Sequence, residues 1–366
     1  MEVVLLQDAA IRTRVQRRVV EGLIQLWPQS KLLTFPQQRG SDLSRADLIV
    51  STSLSAATMI DDRSKAAHLC YLSDGCAPSS RLPRGWTSTL DRYDSNDEES
   101  LVPRGRNSAT IRDARWRPAQ IPTFVFRSHA AARSAGWPRP EIIPPPVPTD
   151  IFRPAETHLR DGYLVSCETS WNDNTAAAVE ACRLGRCRVR ISGRVAESIR
   201  NRYRDDPQIE WLGDIRDAEL ATVVAASRGV IVPHANDCDL LSYEAQACCI
   251  PVIVFRESGV AASIIDTEVY GLGTGICFDE PTAESIWSAI LELERRPHLC
   301  SPAAGWTNAA RCSQERFEDR IREIANRAMT YASLTLSPEG RPVIGRFPSE
   351  QESPERDFTP PIRKAA

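Results

Sequence analysis

Lysine is nearly missing from this chain: of 45 basic residues only Lys31, Lys65 and Lys364 are lysines, and none lies between positions 65 and 364. Any cation needed within that long interval must therefore be arginine, which is always charged and binds carboxylates and phosphates through a planar fork. No run of 18 apolar residues occurs, so no transmembrane helix is expected. The first residues pass from a short apolar stretch, Val3 to Leu6, into the arginine-rich run Arg12 to Arg18 without a signal-peptide core. The expected compartment is the cytoplasm. The 11 cysteines include no CxxC pair, which argues against a zinc site or a disulfide framework and leaves thiols packed as small hydrophobes. A net charge of -3 argues against nucleic acid as the main partner.

What is present is ample core. At 366 residues, 42% hydrophobic and 25% charged, the chain can build two α/β domains of ordinary size. Val3 to Leu6 reads as a first strand and Ile11 to Trp27 as a helix, since Val15, Val19, Leu23 and Leu26 recur every three or four residues. Short strands follow at Leu32 to Phe35, Asp47 to Ser51, Ala66 to Tyr71 and Thr123 to Phe126, with Ser128 opening a helix. Residues 74 to 118 combine many arginines with Trp86, Tyr93 and Trp116 and an acidic insert, and their weak periodicity reads as a long loop region. The triple proline in Glu141 to Pro154 favours a stiff extended connection. A second set of strands and helices begins at Tyr163, with a helix at Thr175 to Leu184 and a strand at Arg188 to Ser192. A helical stretch spans Ala304 to Tyr331. From Leu336 onward Pro, Ser, Glu and Arg dominate, the composition of a disordered tail.

The most informative stretch is Ile231 to Phe255. It runs strand, polar loop, helix, strand, with Pro251 forcing the last restart. That order puts a polar loop and a helix N-terminus at the carboxyl end of a parallel strand, where open α/β sheets bind ligands. Pro233, Glu244, Ala245, Ala247, Pro251 and Val252 here resemble, without a gap, the donor-site signature of family 4 glycosyltransferases, and the likeness to the O-antigen mannosyltransferases extends over roughly residues 1 to 300. The resemblance implies a GT-B fold, two Rossmann-like domains with a cleft between them. Residues 1 to 146 would form the acceptor-side domain and 147 to 302 the nucleotide-sugar-side domain. Residues 303 to 335 would cross back as a helical segment, and 336 to 366 would be the tail.

The resemblance also implies an activity: metal-free and cofactor-free transfer of a hexose from a nucleotide diphosphate sugar, GDP-mannose among them, to a glycan or lipid-linked acceptor, with peripheral contact at the inner membrane face. On the donor side it places Glu244, Asp237, Asp239, Leu240, Arg194, Glu168 and Asp173, and at the reacting sugar Ser73, Asp74 and Asn236. Several of these depart from the family pattern. The glycine pair that opens the first helix is Arg14 and Val15, the histidine near the reacting sugar is Ser73, and the first glutamate of the Glu-x7-Glu pair is Asn236. The loop glycine is Asp239 and the glycine before Pro251 is Cys249. The arginine and lysine that grip the diphosphate are Glu168 and Asp173, two anions where a dianion should sit. Asn236 can hydrogen-bond a sugar hydroxyl but carries no charge. Arg194 is the nearest spare cation in sequence. Three further readings bear on the site: Arg14, Arg17 and Arg18 as a solvated basic helix face, Asp217 as the N-cap of the helix after Gly213, and His68 as a packed core residue. Glu244 stands open between nucleotide contact and a solvated helix charge. Two functions follow, an active transferase and a catalytically degenerate relative that binds or scaffolds beside an active glycosyltransferase partner.

Overall fold

The computed structural model describes residues 1–8, 13–35, 43–57, 60, 66–73, 123–135, 140–155, 160–167 and 174–335. Asp74, Glu168, Asp173, the arginine-rich region 74–118 and the expected tail 336–366 lie outside the described residues.

Two six-stranded parallel sheets divide the chain. The first contains β1 (Val3–Asp8), β2 (Lys31–Phe35), β3 (Leu48–Ser51), β4 (Ala67–Leu72), β5 (Thr123–Phe126) and β6 (Glu141–Ile142), in the order β2-β1-β3-β4-β5-β6. Its helices are α1 (Arg14–Leu26), α2 (Leu54–Ala57) and α3 (His129–Ala135). The second contains β7 (Tyr163–Cys167), β8 (Val189–Gly193), β9 (Ile209–Gly213), β10 (Gly229–Val232), β11 (Val252–Phe255) and β12 (Gly275–Phe278), ordered β12-β11-β10-β7-β8-β9. Around it lie α4 (Thr175–Leu184), α5 (Glu197–Arg202), α6 (Asp217–Ala225), α7 (Leu240–Ala247), α8 (Thr267–Tyr270) and α9 (Ala283–Arg295), followed by α10 (Pro302–Ala310) and α11 (Gln314–Thr335). Strand order reverses between β1 and β3 in the first sheet and between β7 and β10 in the second, so each sheet has a crevice at the carboxyl ends of those strands.

The apolar runs explain the layering. Parallel strands covered on both faces read as continuous hydrophobic stretches, and β7, β10 and β11 are buried throughout. In the second sheet Leu164, Val230, Val232, Val252 and Val254 face one way, toward Leu220 and Val224 of α6 and Leu241 and Ala245 of α7. Tyr163, Val165, Ile231, Ile253 and Ile276 face the other, toward Val179 of α4 and Ile286 and Ile290 of α9. In the first sheet Val3, Leu5, Leu48 and Leu69 meet Val19 and Leu23 of α1.

Helix α11 belongs to that first core although it follows the second sheet in sequence. Phe317, Ile321 and Ile324 pack with Tyr71 and Leu23, the Tyr71 and Phe317 rings meeting edge to face with centroids 5.9 Å apart. The single helical stretch expected from Ala304 to Tyr331 is in fact two helices. The break falls where the Cys312 carbonyl accepts the Val147 amide at 2.7 Å and Ser313 Oγ caps the next turn, accepting from the Arg316 amide at 3.3 Å. The first helix is shorter than its periodicity suggests because Thr13 caps it: Thr13 Oγ1 accepts the Gln16 amide at 3.2 Å and Gln16 Oε1 accepts the Thr13 amide at 3.1 Å, a reciprocal capping box. No helix among the described residues is long and apolar enough to cross a membrane.

Candidate functional site

The loop Pro233–Asp239 leaves β10 at the crevice of the second sheet, and it is tied at its start through one backbone carbonyl and one side chain. Asn174 Nδ2 donates to the Pro233 carbonyl at 2.9 Å, and buried His234 meets the Ser166 carbonyl through Nε2 at 2.5 Å. Asp239, the N-cap of α7, is buried and turned inward. Its Oδ1 accepts the Leu241 amide at 2.8 Å and its Oδ2 accepts Ser166 Oγ at 2.8 Å. Asp239, which stands at the position of the loop glycine, thus keeps its carboxylate inside the protein, where it satisfies a helix-terminal donor. The consequence is that a helix-terminal amide suited to an external anion is already engaged by the protein. Leu240 begins α7 with its side chain fully buried in the core.

Helix α7 ends on an unusual residue. The Ile250 amide reaches the Ala245 carbonyl and the Cys249 amide the Gln246 carbonyl, both at 2.9 Å, closing the helix in the manner of a Schellman motif. Cys249 consequently has φ +59°, the left-handed conformation that glycine adopts without steric cost.

Two ion-pair clusters join the halves of the molecule. In the first, Glu244 on α7 is wholly buried, and its Oε1 accepts Arg14 Nη2 at 2.7 Å with Arg18 Nη2 at 3.8 Å. Asp217, at the start of α6, takes Arg14 Nη2 at 3.1 Å and Arg18 Nη2 at 2.5 Å. Arg14 and Arg18 lie four residues apart on one face of α1, so both reach across together. The solvated basic face expected here is corrected for two of its three arginines: the Arg14 side chain is 21% exposed and that of Arg18 12%, while Arg17 is exposed as expected. Asp217 is likewise not the cap but the first helical residue. The residue before it is Arg216, whose amide donates to Glu219 Oε2 at 3.3 Å.

The two carboxylates respond oppositely to the same arginines. Burial pushes the Glu244 pKa up, and the pull of Arg14 and Arg18 only partly offsets it. Burial also pushes Asp217 up, but there Arg18 and Arg14 prevail and the pKa is lowered. The difference follows from accessibility and contact: Asp217 is 30% exposed and touches both arginines closely, whereas Glu244 is sealed and its Oε2 has no hydrogen-bond partner.

The second cluster centres on Arg127, just past β5. Its Nε donates to Asp237 Oδ2 at 3.0 Å and its Nη2 to Asp237 Oδ1, a bidentate pair. Its Nη1 donates to the Ser73 carbonyl at 2.7 Å. Burial alone would lower the Arg127 pKa, but Asp237 outweighs it and the guanidinium is held charged. Ser73 is buried and donates Oγ–H to the Thr52 carbonyl at 2.5 Å. Asn236 sits beside this cluster, half-buried. Arg194 joins neither cluster. It is 82% exposed, pairs with Asp214 at 3.0 Å and borders a cavity of about 520 Å³ beside Arg200 and Arg204. His68 is a core residue: burial lowers its pKa to about 3, and the ring meets Ser51 Oγ at 2.9 Å.

The structure thus gathers Ser73 with Asp237, and places Glu244 in a separate cluster with Arg14, Arg18 and Asp217. Arg127 and the pairing role of Asp217 have no motif to mark them. The arginines of α1 carry one signal, their spacing of four.

Comparison with known proteins supports the fold and leaves the chemistry open. No protein-family model matches the chain, and no curated protein matches it in sequence. Solved structures match over nearly its whole length. A glycosyltransferase from Rickettsia africae aligns with TM-score 0.63 at 13% identity, covering 90% of this chain and 98% of that one. HepE from Anabaena, solved with UDP and glucose, aligns with TM-score 0.65 at 10% identity, covering 89% and 99%. Sucrose-phosphate synthase from Thermosynechococcus elongatus aligns with TM-score 0.64 at 13% identity, covering 90% and 100%. The class is that of two-domain α/β proteins with parallel sheets and a cleft between them. Within it, the chain has the GT-B fold of these glycosyltransferases.

Proposed function

We propose that this chain is a catalytically degenerate GT-B protein that serves as a binding or scaffold subunit in polysaccharide biosynthesis, beside an active glycosyltransferase. One observation carries the reading. Glu244, which the family resemblance assigns to the ribose of the donor nucleotide, has no exposed surface and spends Oε1 on Arg14. A ribose hydroxyl reaching Glu244 would have to displace an arginine–carboxylate ion pair, charged on both sides, and offer in its place a hydrogen bond charged on one side only. The neighbouring helix-terminal amide is taken by Asp239, and the Arg127 guanidinium by Asp237. Among the described residues the Leu241 amide, the Arg127 guanidinium and Glu244 Oε1 are thus engaged within the protein, while Glu244 Oε2 and Arg18 Nε have no hydrogen-bond partner.

A second reading is favoured by the fold neighbours, since HepE has been solved with UDP-glucose. On that reading the chain moves a hexose from a nucleotide sugar, GDP-mannose or another, to a glycan or lipid-linked acceptor, and Arg14 swings off Glu244 when the donor enters. Calorimetric titration of the full chain with UDP, GDP, UDP-glucose and GDP-mannose separates the two. The degenerate reading expects no saturation below about 1 mM. Micromolar binding abolished by Glu244→Ala, or release of nucleotide from any of the sugar donors, would overturn it.

A further inference from the structure

Among the described residues, three places where the two halves of the molecule meet stand out, two of them ionic and one a close approach of backbone and small side chains. Helix α1 of the first half reaches α6 and α7 of the second through the Arg14, Arg18, Asp217 and Glu244 cluster. The end of β5 reaches the Pro233–Asp239 loop through Arg127 and Asp237. Between Ala130 on α3 and the turn at Gly259–Ser263 the approach is so close that a Cβ on Gly259 would lie 2.6 Å from the Ala130 Cβ and 2.6 Å from the Asp237 Cα.

The charges at the two ionic places cancel. Two arginines meet two carboxylates in the first cluster and one meets one in the second, so closing the halves leaves no net charge at either place. The side chains of Arg127 and Asp237 are 9% and 18% exposed. Pairs this buried are screened little by salt, so ionic strength alone does not undo them.

We propose that these contacts form an interdomain latch, and that the closed arrangement is the resting form of the ligand-free chain, with cleft access requiring release of the arginine–carboxylate pairs. Buried ion pairs suit such a role. Desolvation consumes most of their attraction, so they fix one geometry without making it much deeper in energy than the open one. A single reversed charge should then tip the balance. The latch does not depend on whether the cleft binds a sugar nucleotide, and its test uses none.

The test compares the full chain with Arg18→Glu, and with Arg18→Glu combined with Asp217→Arg, by small-angle scattering and amide hydrogen exchange. Arg18→Glu places a third carboxylate against Asp217 and Glu244. It should enlarge the radius of gyration and speed exchange at residues 128–135 and 256–263 about tenfold, which corresponds to ~1.4 kcal/mol. The double variant restores opposite charges across the gap and should return both readings toward those of the original chain, an outcome that simple misfolding of Arg18→Glu would not give. If Arg18→Glu does not fold, Arg127→Gln tests the second cluster with the same two readings. Folded variants with unchanged radius and unchanged exchange would overturn the latch, as would a scattering profile of the original chain that fits only separated halves.

Discussion

Removing Arg14 isolates the largest electrostatic consequence of this interface. In Arg14→Ala, the wholly buried Glu244 keeps only Arg18, 3.8 Å away, and its Oε2 already lacks a partner. Breaking a buried pair by deleting one member typically costs about 3 to 5 kcal/mol. Two features reduce that here: Arg14 is partly exposed, and Glu244 can escape by binding a proton, because burial has already raised its pKa. We therefore expect a loss of roughly 2 to 3 kcal/mol at pH 7. Glu244→Gln should change stability by less than about 1 kcal/mol, since the amide oxygen keeps an acceptor for Arg14 and the buried charge is gone. The double variant should then cost clearly less than Arg14→Ala alone, a coupling on the order of 1 to 2 kcal/mol. The sign of the pH dependence follows from linkage. A carboxyl whose pKa is higher in the folded than in the unfolded chain takes up its proton first in the folded state. Stability contributed by Glu244 should therefore rise as pH falls from above its raised value toward the ordinary 4.5. That rise should begin at higher pH in Arg14→Ala and vanish in Glu244→Gln. Asp217 acts in the opposite sense: its lowered pKa gives stability that is present above the ordinary 3.8 and lost as pH falls through its folded value. Urea unfolding of the four proteins at pH 7 and pH 5 measures the Glu244 effects, and a further series at about pH 3 measures the loss expected from Asp217. A loss under about 0.5 kcal/mol for Arg14→Ala, or strict additivity in the double variant, would show that Glu244 is not held as described.

Two further predictions concern backbone and packing. Gly259→Ala pushes a methyl into Ala130 and Asp237 and should destabilise the chain by about 1 to 3 kcal/mol, the usual cost of overpacking. Chemical denaturation measures the loss, and an unchanged midpoint would mean that the two halves do not touch there. Cys249→Gly relieves a left-handed conformation costing about 1 to 2 kcal/mol, part of which is returned because glycine is freer in the unfolded chain. A net gain of roughly 0.5 to 1 kcal/mol is expected, whereas Cys249→Val at the same φ should lower the midpoint. Equal stability of the Gly and Val forms would contradict the left-handed turn.

Much of the fold was legible because buried parallel strands and their covering helices leave strong local patterns. The run at Gly229–Val232, the proline restart before Val252 and the helix at Thr175–Leu184 each announce an element through composition and period alone. The break between α10 and α11 was not legible, since apolar spacing continues on both sides of it and the cause is a tertiary bond to Val147. The site divides along the same line. Glu244 and the Pro233–Asp239 loop stand out because a motif fixes their positions on one strand and one helix. Their partners on other elements lie from 59 to 230 residues away in sequence, and nothing local marks Arg127 as the counterpart of Asp237.

Two of these residues, Asp239 and Arg14, carry the same physical lesson. Asp239 looks hostile to an anion when set against a glycine, but a side chain with a carboxylate at a helix start folds back onto the nearest free amide, and Ser166 completes its coordination. Arg14 looks merely solvated at the start of a basic helix, yet a guanidinium within reach of a sealed carboxylate lowers the cost of burying that carboxylate. Arg14 and Glu244 therefore depend on each other: with glycine at position 14 the buried charge of Glu244 would lose its 2.7 Å partner, and with Glu244 absent the Arg14 fork would lose the shorter of its two carboxylate contacts and keep Asp217 at 3.1 Å. Such mutual dependence is what a double-mutant cycle detects.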